Sequence, residues 1–193
     1  MKPPTDRKTK QSLDYTNPEQ VVNFRDVGEF INMIAGFRVI KEGRLYRGGT
    51  INYIEDPNVI GGPNTIFCLQ KGPDPELDDI VNVHFPISND YEKYETKTPE
   101  VRRWLRQVIK TVEAGVEYPL YVHCLSGRDR TGVVIACLLK ILGVNEEHIL
   151  EEYYLSIGTE GRQHIHLTLE GIRDIEVYLK GINLDRVRMQ LLG

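Results

Sequence analysis

One segment constrains the fold more than any other, because an apolar strand, a short loop and an apolar helix follow one another in it. Residues 120–122 (LYV) are typical of a short buried strand. Residues 131–142 are apolar on nearly every side and end at Gly143, which indicates a helix in the centre of a domain. The loop between them, residues 123–130, reads HCLSGRDR. A strand that leads into a buried helix through a tight loop is typical of a layered α/β domain.

The rest of the chain alternates between short β-rich runs and longer amphipathic segments. We expect strands at residues 39–40 and 44–47, paired like a hairpin, and at residues 65–69, 80–85 and 120–122. We expect helices at residues 99–115, 131–142, 146–155, 168–179 and 185–191, and a short helical turn from Asp74. This order predicts an α/β fold of three layers, with a central, mainly parallel sheet flanked by helices.

Length and composition limit the remaining possibilities. The chain has 193 residues, which suits one domain, so we expect a polar lead-in at residues 1–18 and a single domain at residues 19–193. The formal net charge of -4 argues against a general nucleic-acid binder. No stretch is long enough for a transmembrane segment, and residues 1–10 lack the apolar block of a secretory signal. Three scattered cysteines favour a reducing compartment, so we expect a cytoplasmic protein of unknown oligomeric state.

The loop has the chemistry of an anion cradle. Its backbone N–H groups can converge on one phosphate, with the positive end of the following helix dipole behind them. Gly127 allows a backbone angle that other residues rarely adopt. Arg130 can offer a planar, bidentate fork to two phosphate oxygens. The predicted substrate-binding residues are therefore Leu125, Ser126, Gly127, Arg128, Asp129 and Arg130.

Cys124 is the candidate nucleophile of this loop. A helix N-terminus and a nearby guanidinium both favour the thiolate, which is the form of cysteine that attacks. The Thr131 hydroxyl is expected to donate a hydrogen bond to the Cys124 sulfur. Two alternatives are weaker. A metal pair at His123 and Cys124 has no partner cysteines at metal spacing, and an ordinary glycine turn would leave this concentration of reactive residues unexplained.

The segment resembles the phosphate-binding loop of the protein tyrosine phosphatase superfamily, which has the pattern H-C-x5-R-[S/T]. The match is complete at its defining positions, which are His123, Cys124, Gly127, Arg130 and Thr131. Residues 23–28 (NFRDVG) and 43–49 (GRLYRGG) are similar to the atypical dual-specificity and bacterial-type tyrosine and lipid phosphatase branch. The resemblance implies the α/β phosphatase fold, no metal or other cofactor, and a two-step reaction through a phosphocysteine.

The resemblance also implies an aspartate that serves as the general acid. In the superfamily this residue usually lies on a loop some 30 to 40 residues before the cysteine. Asp90 lies 34 positions before Cys124 and is the aspartate of the loop after residues 80–85. It is our choice from the sequence. Asp129 is the alternative, because an aspartate just before the loop arginine resembles myotubularin and bacterial lipid phosphatase variants. Glu92 and Glu95 are weaker stand-ins.

The substrate remains open between two classes. The first is phosphoproteins, with phosphotyrosine or mixed specificity, and the second is phosphoinositides or soluble inositol phosphates. Arg128 resembles a basic residue that meets a second phosphate in phosphoinositide-active members, although it can equally be a solvated charge. A phosphate-binding module without turnover is a third possibility, but the retained Cys124 and Arg130 argue against it.

Several other residues receive predictions. We expect His123 to bond to the backbone near the cysteine. Cys68 is expected to be a buried small residue, although a disulfide with Cys124 is conceivable. Counterparts in similar proteins imply that Arg25, Asp26 and Arg47 brace the loop from beneath, with surface salt bridges as the alternative. Trp104 and Cys137 are expected to be packing residues. Tyr91 and Tyr94 are expected at the mouth of the pocket, and His164 and His166 are expected to be polar loop residues.

Overall fold

A computed structural model describes residues 13–160 and 163–193 of the chain. Its sheet has five strands in the spatial order β1-β2-β5-β3-β4. β1 pairs antiparallel with β2, and the other pairings are parallel. The strands are β1 (Arg25–Asp26), β2 (Leu45–Gly48), β3 (Thr65–Cys68), β4 (Val81–His84) and β5 (Leu120–His123).

Seven helices flank this sheet within the described residues, so the predicted α/β architecture is confirmed. α3 is the central helix, since ten of its thirteen residues are buried and it packs against α2, α4, α5 and α7. The helices are α1 (Val27–Ala35), α2 (Pro99–Ala114), α3 (Asp129–Ile141), α4 (Glu146–Tyr154), α5 (Ile165–Gly171), α6 (Ile175–Tyr178) and α7 (Leu184–Leu192).

The prediction of a hairpin at residues 39–40 and 44–47 is wrong. β2 pairs instead with β1 on one side and with β5 on the other. Residues 39–40 form no strand because the Asn32 side chain holds their backbone: its Oδ1 accepts from the Val39 N–H at 2.7 Å and from the Ile40 N–H at 3.2 Å. A side chain that bonds to nearby backbone competes with strand pairing in this way.

Two other predictions are corrected and one lies partly outside the structure. The helix predicted at residues 168–179 is divided into α5 and α6, because Asp174 caps a new helix by accepting from the Val177 N–H at 3.1 Å. The helical turn predicted from Asp74 is absent, and that side chain points to β5 instead. Of the predicted lead-in at residues 1–18, residues 1–12 lie outside the described residues.

The packing residues named from the sequence are buried as predicted. Cys68 and Cys137 are fully buried, and Trp104 is buried with its indole N–H donating to the Phe85 carbonyl at 3.0 Å. No helix among residues 13–160 and 163–193 is both long and apolar enough to cross a membrane.

The sheet determines where the catalytic loop lies. β5 lies between β2 and β3, and its last residue, His123, is in register with Gly48 of β2 and Cys68 of β3. The carboxyl ends of these parallel strands therefore meet at one edge, where open α/β sheets usually bind ligands. Cys124 follows β5 directly at this edge.

Candidate active site

Gly127 gives the loop between β5 and α3 its shape. Its φ is +66°, and a Cβ at this position would lie 2.3 Å from the carbonyl carbon of Gly48. Only glycine therefore permits both the left-handed angle and the close approach to the end of β2. This confirms the backbone freedom that the sequence predicted at Gly127.

The loop carbonyls are held by donors outside the loop. The carbonyl oxygens of residues 125, 126 and 127 accept from the Thr50 N–H at 3.0 Å, the Asn23 amide at 2.8 Å and Arg47 Nη2 at 2.9 Å. The backbone N–H groups of residues 125–128 have no acceptor in the described part of the chain. Because the carbonyls are bound outside, these N–H groups remain available to an anion, as the sequence argument requires.

Cys124 and Arg130 line the same cavity, whose volume is about 440 Å³. Only 3% of the Cys124 surface is exposed. Arg130 Nη2 donates to Asn89 Oδ1, whereas its buried Nε has no partner among residues 13–160 and 163–193. The Thr131 hydroxyl is also buried without a partner there, so the predicted bond to the Cys124 sulfur is not formed in this structure. A buried thiol beside an arginine with an unused donor suits an anionic ligand.

A buried ion cluster supports the loop from beneath. The Glu152 carboxylate accepts from Arg25 Nε at 2.8 Å and from Arg47 Nη1 at 2.6 Å. Arg47 is fully buried and also holds the Gly127 carbonyl, so the cluster connects α4 to the loop. Burial and the neighbouring Arg47 charge lower the pKa of Arg25 to about 10. This is a buried support and not a pair of surface salt bridges.

The three residues predicted to brace the loop therefore have different roles. Arg47 contacts the loop directly, and Arg25 acts through Glu152. Asp26 instead caps α1, since its carboxylate accepts from the Gly28 N–H at 2.8 Å. The sequence reasoning missed Glu152, although a signal was present: it lies three residues after Ile149, on the buried face of α4.

His123 contacts a carboxylate, which differs from the predicted backbone bond. Its Nε2 lies 2.7 Å from Asp74 Oδ2, and both side chains are fully buried. Cys68 completes a group of three possible metal ligands whose donor atoms lie within 4.8 Å of one another. The distance of 2.7 Å is that of a hydrogen bond, and burial together with the Asp74 charge raises the pKa of Cys68 to about 12. The geometry therefore fits a hydrogen-bonded network, with Cys68 free of any disulfide.

Asp129 lies in the wall of the Cys124 cavity. The Tyr94 hydroxyl donates to Asp129 Oδ1 at 2.6 Å, and Arg128 Nη2 donates to Asp129 Oδ2 at 2.9 Å. Arg128 is thus held beside the cavity by an ion pair and lines it as well. Burial and the bond to Asp129 raise the pKa of Tyr94 well above its ordinary value, so this hydroxyl remains a hydrogen-bond donor.

Asp90 lies on the loop before the cavity but is not among its lining residues. Its side chain is exposed and accepts from the Ser88 hydroxyl at 2.7 Å. The neighbouring Asn89 and Tyr91 do line the cavity. The loop predicted to carry the acid therefore borders the site, and Asp90 as the acid stays a prediction.

The cavity wall includes three residues that the sequence analysis gave little or no role. Lys93 lies close enough to Arg130 that burial and the guanidinium charge together lower its pKa. His164 is an exposed residue of the turn before α5, as predicted, and it also stacks on Tyr94 with ring centres 5.6 Å apart. Tyr15 comes from the predicted polar lead-in. No signal in the sequence placed it at the site.

Taken together, the fold and the loop define a class of protein. A cysteine lies at the base of an anion cradle of backbone N–H groups, with an arginine beside it and carboxylates close by. This is the site of a cysteine-dependent phosphatase, which is a phosphoric monoester hydrolase.

Comparison with known proteins places the chain within that class. A model of the tyrosine phosphatase family matches residues 79–180, which is more than half of the chain. The protein belongs to the tyrosine phosphatase family. The matched residues include the whole catalytic loop and the preceding loop that carries Asp90.

Curated relatives and solved structures agree with this assignment. OCA1 of Meyerozyma guilliermondii, named as a tyrosine-protein phosphatase, is 31% identical over 150 residues, covering 67% of this chain and 77% of that protein. Inositol diphosphatase DSP3 of Arabidopsis thaliana is 24% identical, covering 70% of this chain and 69% of that protein. The catalytic domain of the PP-IP phosphatase SIW14 of S. cerevisiae has the same fold, with a TM-score of 0.52, 18% identity, and coverage of 74% of this chain and 93% of that one.

Proposed function

We propose that the protein hydrolyses phosphate monoesters through a phosphocysteine. The Cys124 sulfur attacks phosphorus, an S–P bond forms, and the bond from phosphorus to the leaving oxygen breaks. Water then attacks the phosphocysteine, which releases inorganic phosphate and returns the thiolate. The observation that supports both steps is the cradle itself, in which Arg130 and the N–H groups of residues 125–128 surround the position of the phosphoryl group.

A proton donor must serve the leaving oxygen, and the same group can later accept a proton from water. We propose Asp129 for this role, because it lines the cavity that contains Cys124. Asp90, the choice from the sequence, remains the alternative. It lies one residue beyond Asn89, whose amide oxygen contacts Arg130, so its loop already touches the phosphate clamp.

We further propose that the substrate carries a second phosphate close to the one removed, as inositol phosphates do. The supporting observation is that Lys93, Arg128 and Arg130 line one cavity. The pKa of Lys93 is lowered by burial and by the Arg130 charge, so these two cations lie close together. A single phosphate is served by Arg130, and a second phosphate would offset the repulsion between Lys93 and Arg130. DSP3 is named as an inositol diphosphatase, which supports the same substrate class here.

Purified protein should be tested on para-nitrophenyl phosphate and on a panel of inositol phosphates. We expect turnover of both, and Cys124→Ser should abolish both. In Lys93→Ala, kcat/KM should fall by about tenfold for an inositol phosphate with adjacent phosphates, and by less for the aryl phosphate. Lys41→Ala, at an exposed lysine outside the cavity, is the matched control. An equal fall on both substrates would argue against recognition of a second phosphate by Lys93.

Phosphotyrosine proteins are the second candidate substrate, and membership of the tyrosine phosphatase family favours them. Tyr91 lines the cavity and is 39% exposed, so aromatic surface is available to a phosphotyrosine ring. A phosphopeptide series in the same assay separates the two classes. If kcat/KM for phosphotyrosine peptides exceeds that for every inositol phosphate, the protein is a protein phosphatase.

We also propose that the protein acts in a reducing compartment, with the cytoplasm as the simplest case. The support is that Cys68, Cys124 and Cys137 are all free and buried. A tagged copy in fractionated cells would test this location.

A further inference from the structure

A groove of about 770 Å³ runs along the exposed side of α2, and its charge is of one sign. Five of its lining residues are cationic, and none is acidic or a large apolar residue. The formal net charge of the chain is -4, so the positive charge of this lining is opposite in sign to that of the whole chain. The five cationic residues are Lys97, Arg102, Arg103, Arg106 and Lys110.

The pattern differs from an ordinary solvated helix face. Such faces usually alternate charges, because opposite charges three or four residues apart stabilise a helix. Here Arg102, Arg103, Arg106 and Lys110 recur at that spacing with one sign, opposite the buried face of α2. Glu100 and Glu113 lie three residues from Arg103 and Lys110 on the same helix, but neither forms an ion pair with them among residues 13–160 and 163–193.

The partners of these cations leave most of their charge uncompensated. Arg102 Nη2 and Arg106 Nη1 donate to the carbonyl of Tyr178 at 2.8 Å and 3.2 Å, which fixes both guanidinium groups against a neutral acceptor. Arg103 and Lys110 have no ion-pair partner among residues 13–160 and 163–193. Of the five cations, only Lys97 pairs with a carboxylate within these residues, that of Glu170, and both groups are more than half exposed.

We propose that this groove, which we call the α2 groove, binds an acidic, extended peptide segment of a partner protein. Its cations span residues 97–110, which corresponds to about 20 Å along a helix. An extended chain of about six residues has this length. Arg102 and Arg106 are held by backbone carbonyls of residues 177–180 and supply fixed positive charge. The unpaired Arg103 and Lys110 add charge and hydrogen-bond donors on the outside.

Charge and composition exclude two other occupants. A membrane-binding face combines cations with exposed Trp, Phe or Leu side chains, and the lining of the α2 groove contains none of these. The chain's own N-terminal residues 1–12 contain four Lys or Arg residues against one Asp, so their charge is not complementary to the groove. An acidic peptide fits both the charge and the linear shape.

The α2 groove is separate from the catalytic cavity, although it begins nearby. The two share no lining residue, so substitutions in one leave the other intact. Lys97 lies three positions after Tyr94, which lines the Cys124 cavity.

The test uses the full chain and a fluorescein-labelled peptide of about eight alternating Glu and Asp residues, with binding followed by fluorescence anisotropy. We expect saturable binding that weakens as salt is added. The double variant Arg103→Glu with Lys110→Glu should lower the affinity by about tenfold or more. Arg38→Glu with Lys41→Glu makes the same change in net charge at exposed positions outside both the groove and the cavity, and should bind within about twofold of wild type.

Turnover of para-nitrophenyl phosphate should be the same in wild type and in both double variants. The peptide-binding test therefore does not depend on the proposed substrate. If the reversed pair fails to fold, Arg103→Gln with Lys110→Gln replaces it. Equal losses in the two double variants would show that only net charge matters and would overturn the proposal. So would an absence of saturable binding by wild type. Binding to anionic vesicles that requires Arg103 and Lys110, without peptide binding, would assign the groove to a membrane instead.

Discussion

The Tyr94 hydroxyl donates to the Asp129 carboxylate at 2.6 Å, and this bond holds Asp129 in the wall of the cavity that contains Cys124. The same hydroxyl lies 2.6 Å from the Tyr153 hydroxyl, so the contact extends from the cavity to α4. The position of Asp129 is thus set by buried neighbours on two other parts of the chain. Within the described residues, Asp90 forms hydrogen bonds only with Ser88, in its own exposed loop.

This difference leads to a prediction about the general acid. We expect Asp129→Asn to lower kcat for alkyl phosphates by roughly a hundredfold, because general acid–base catalysis typically contributes that much. The effect on aryl phosphates should be smaller, since a phenolate leaves without full protonation. The measurement is steady-state turnover of both substrates, with vanadate affinity as a check that the cradle is intact.

Asp90→Ala is the matched comparison for that experiment. It should change kcat by no more than a few-fold if Asp90 is a solvated loop residue. If Asp90→Ala shows the large, leaving-group-dependent loss while Asp129→Asn does not, the acid is Asp90 and the choice from the sequence is right.

The buried cluster beneath the loop leads to a prediction about stability. Glu152→Gln removes the carboxylate shared by Arg25 and Arg47 and leaves two buried guanidinium groups without their counter-charge. Breaking a buried pair in this way costs about 3 to 5 kcal/mol of unfolding free energy. Urea unfolding followed by circular dichroism measures the loss.

The neighbouring glutamate provides the control for this variant. Glu151 is exposed, so Glu151→Gln makes the same charge change on the same helix and should shift the unfolding free energy by no more than about 0.5 kcal/mol. Equal effects of the two substitutions would show that the cluster is not important for stability.

The sequence predicted the catalytic loop well because its signals are local. The strand before Cys124, the glycine at position 127 and the apolar helix after Arg130 are all contained in about 25 adjacent residues, and each has a direct steric or electrostatic cause. β1 was missed because a strand of two residues has no period to detect.

The supporting contacts could not be predicted in the same way. His123 and Asp74 are 49 positions apart, and Arg25 and Glu152 are 127 positions apart. Their pairing follows from the order of the strands and from the packing of α4, which no local pattern records. The helical spacing from Ile149 placed Glu152 on the buried face of α4, but a charged residue is usually solvated and no local pattern identified its arginine partners.

Tyr15 lies in the cavity wall and leads to a prediction about substrate binding. Tyr15→Ala should raise KM about fivefold with little change in kcat, because an aromatic contact with the substrate contributes about 1 kcal/mol and lies away from the reacting sulfur. Tyr53→Ala, at a tyrosine that is 53% exposed, is the control and should leave KM unchanged. A KM that is the same in Tyr15→Ala and wild type would show that this residue does not touch substrate.

The Cys68 thiol leads to a prediction about pH. Burial and the Asp74 charge raise its pKa in the folded protein to about 12, above an ordinary value of 9.0, so the folded state keeps a proton that the unfolded state loses. This contribution to stability is fully present below about pH 9 and is lost as pH rises towards 12. We therefore expect the unfolding free energy to fall more steeply above about pH 9 in wild type than in Cys68→Ala, by at most about 1.4 kcal/mol per pH unit.

Urea unfolding of both proteins between about pH 6 and 10 measures this difference. Below about pH 8 the two curves should run parallel, because the thiol is protonated in both states, and the offset between them reports only the lost packing. The curves should depart from parallel only as the unfolded thiol begins to ionise, with the wild-type curve falling towards that of Cys68→Ala. If they remain parallel up to pH 10, the thiol ionises equally well in the folded protein, and the Asp74 carboxylate does not act on it as the buried network implies.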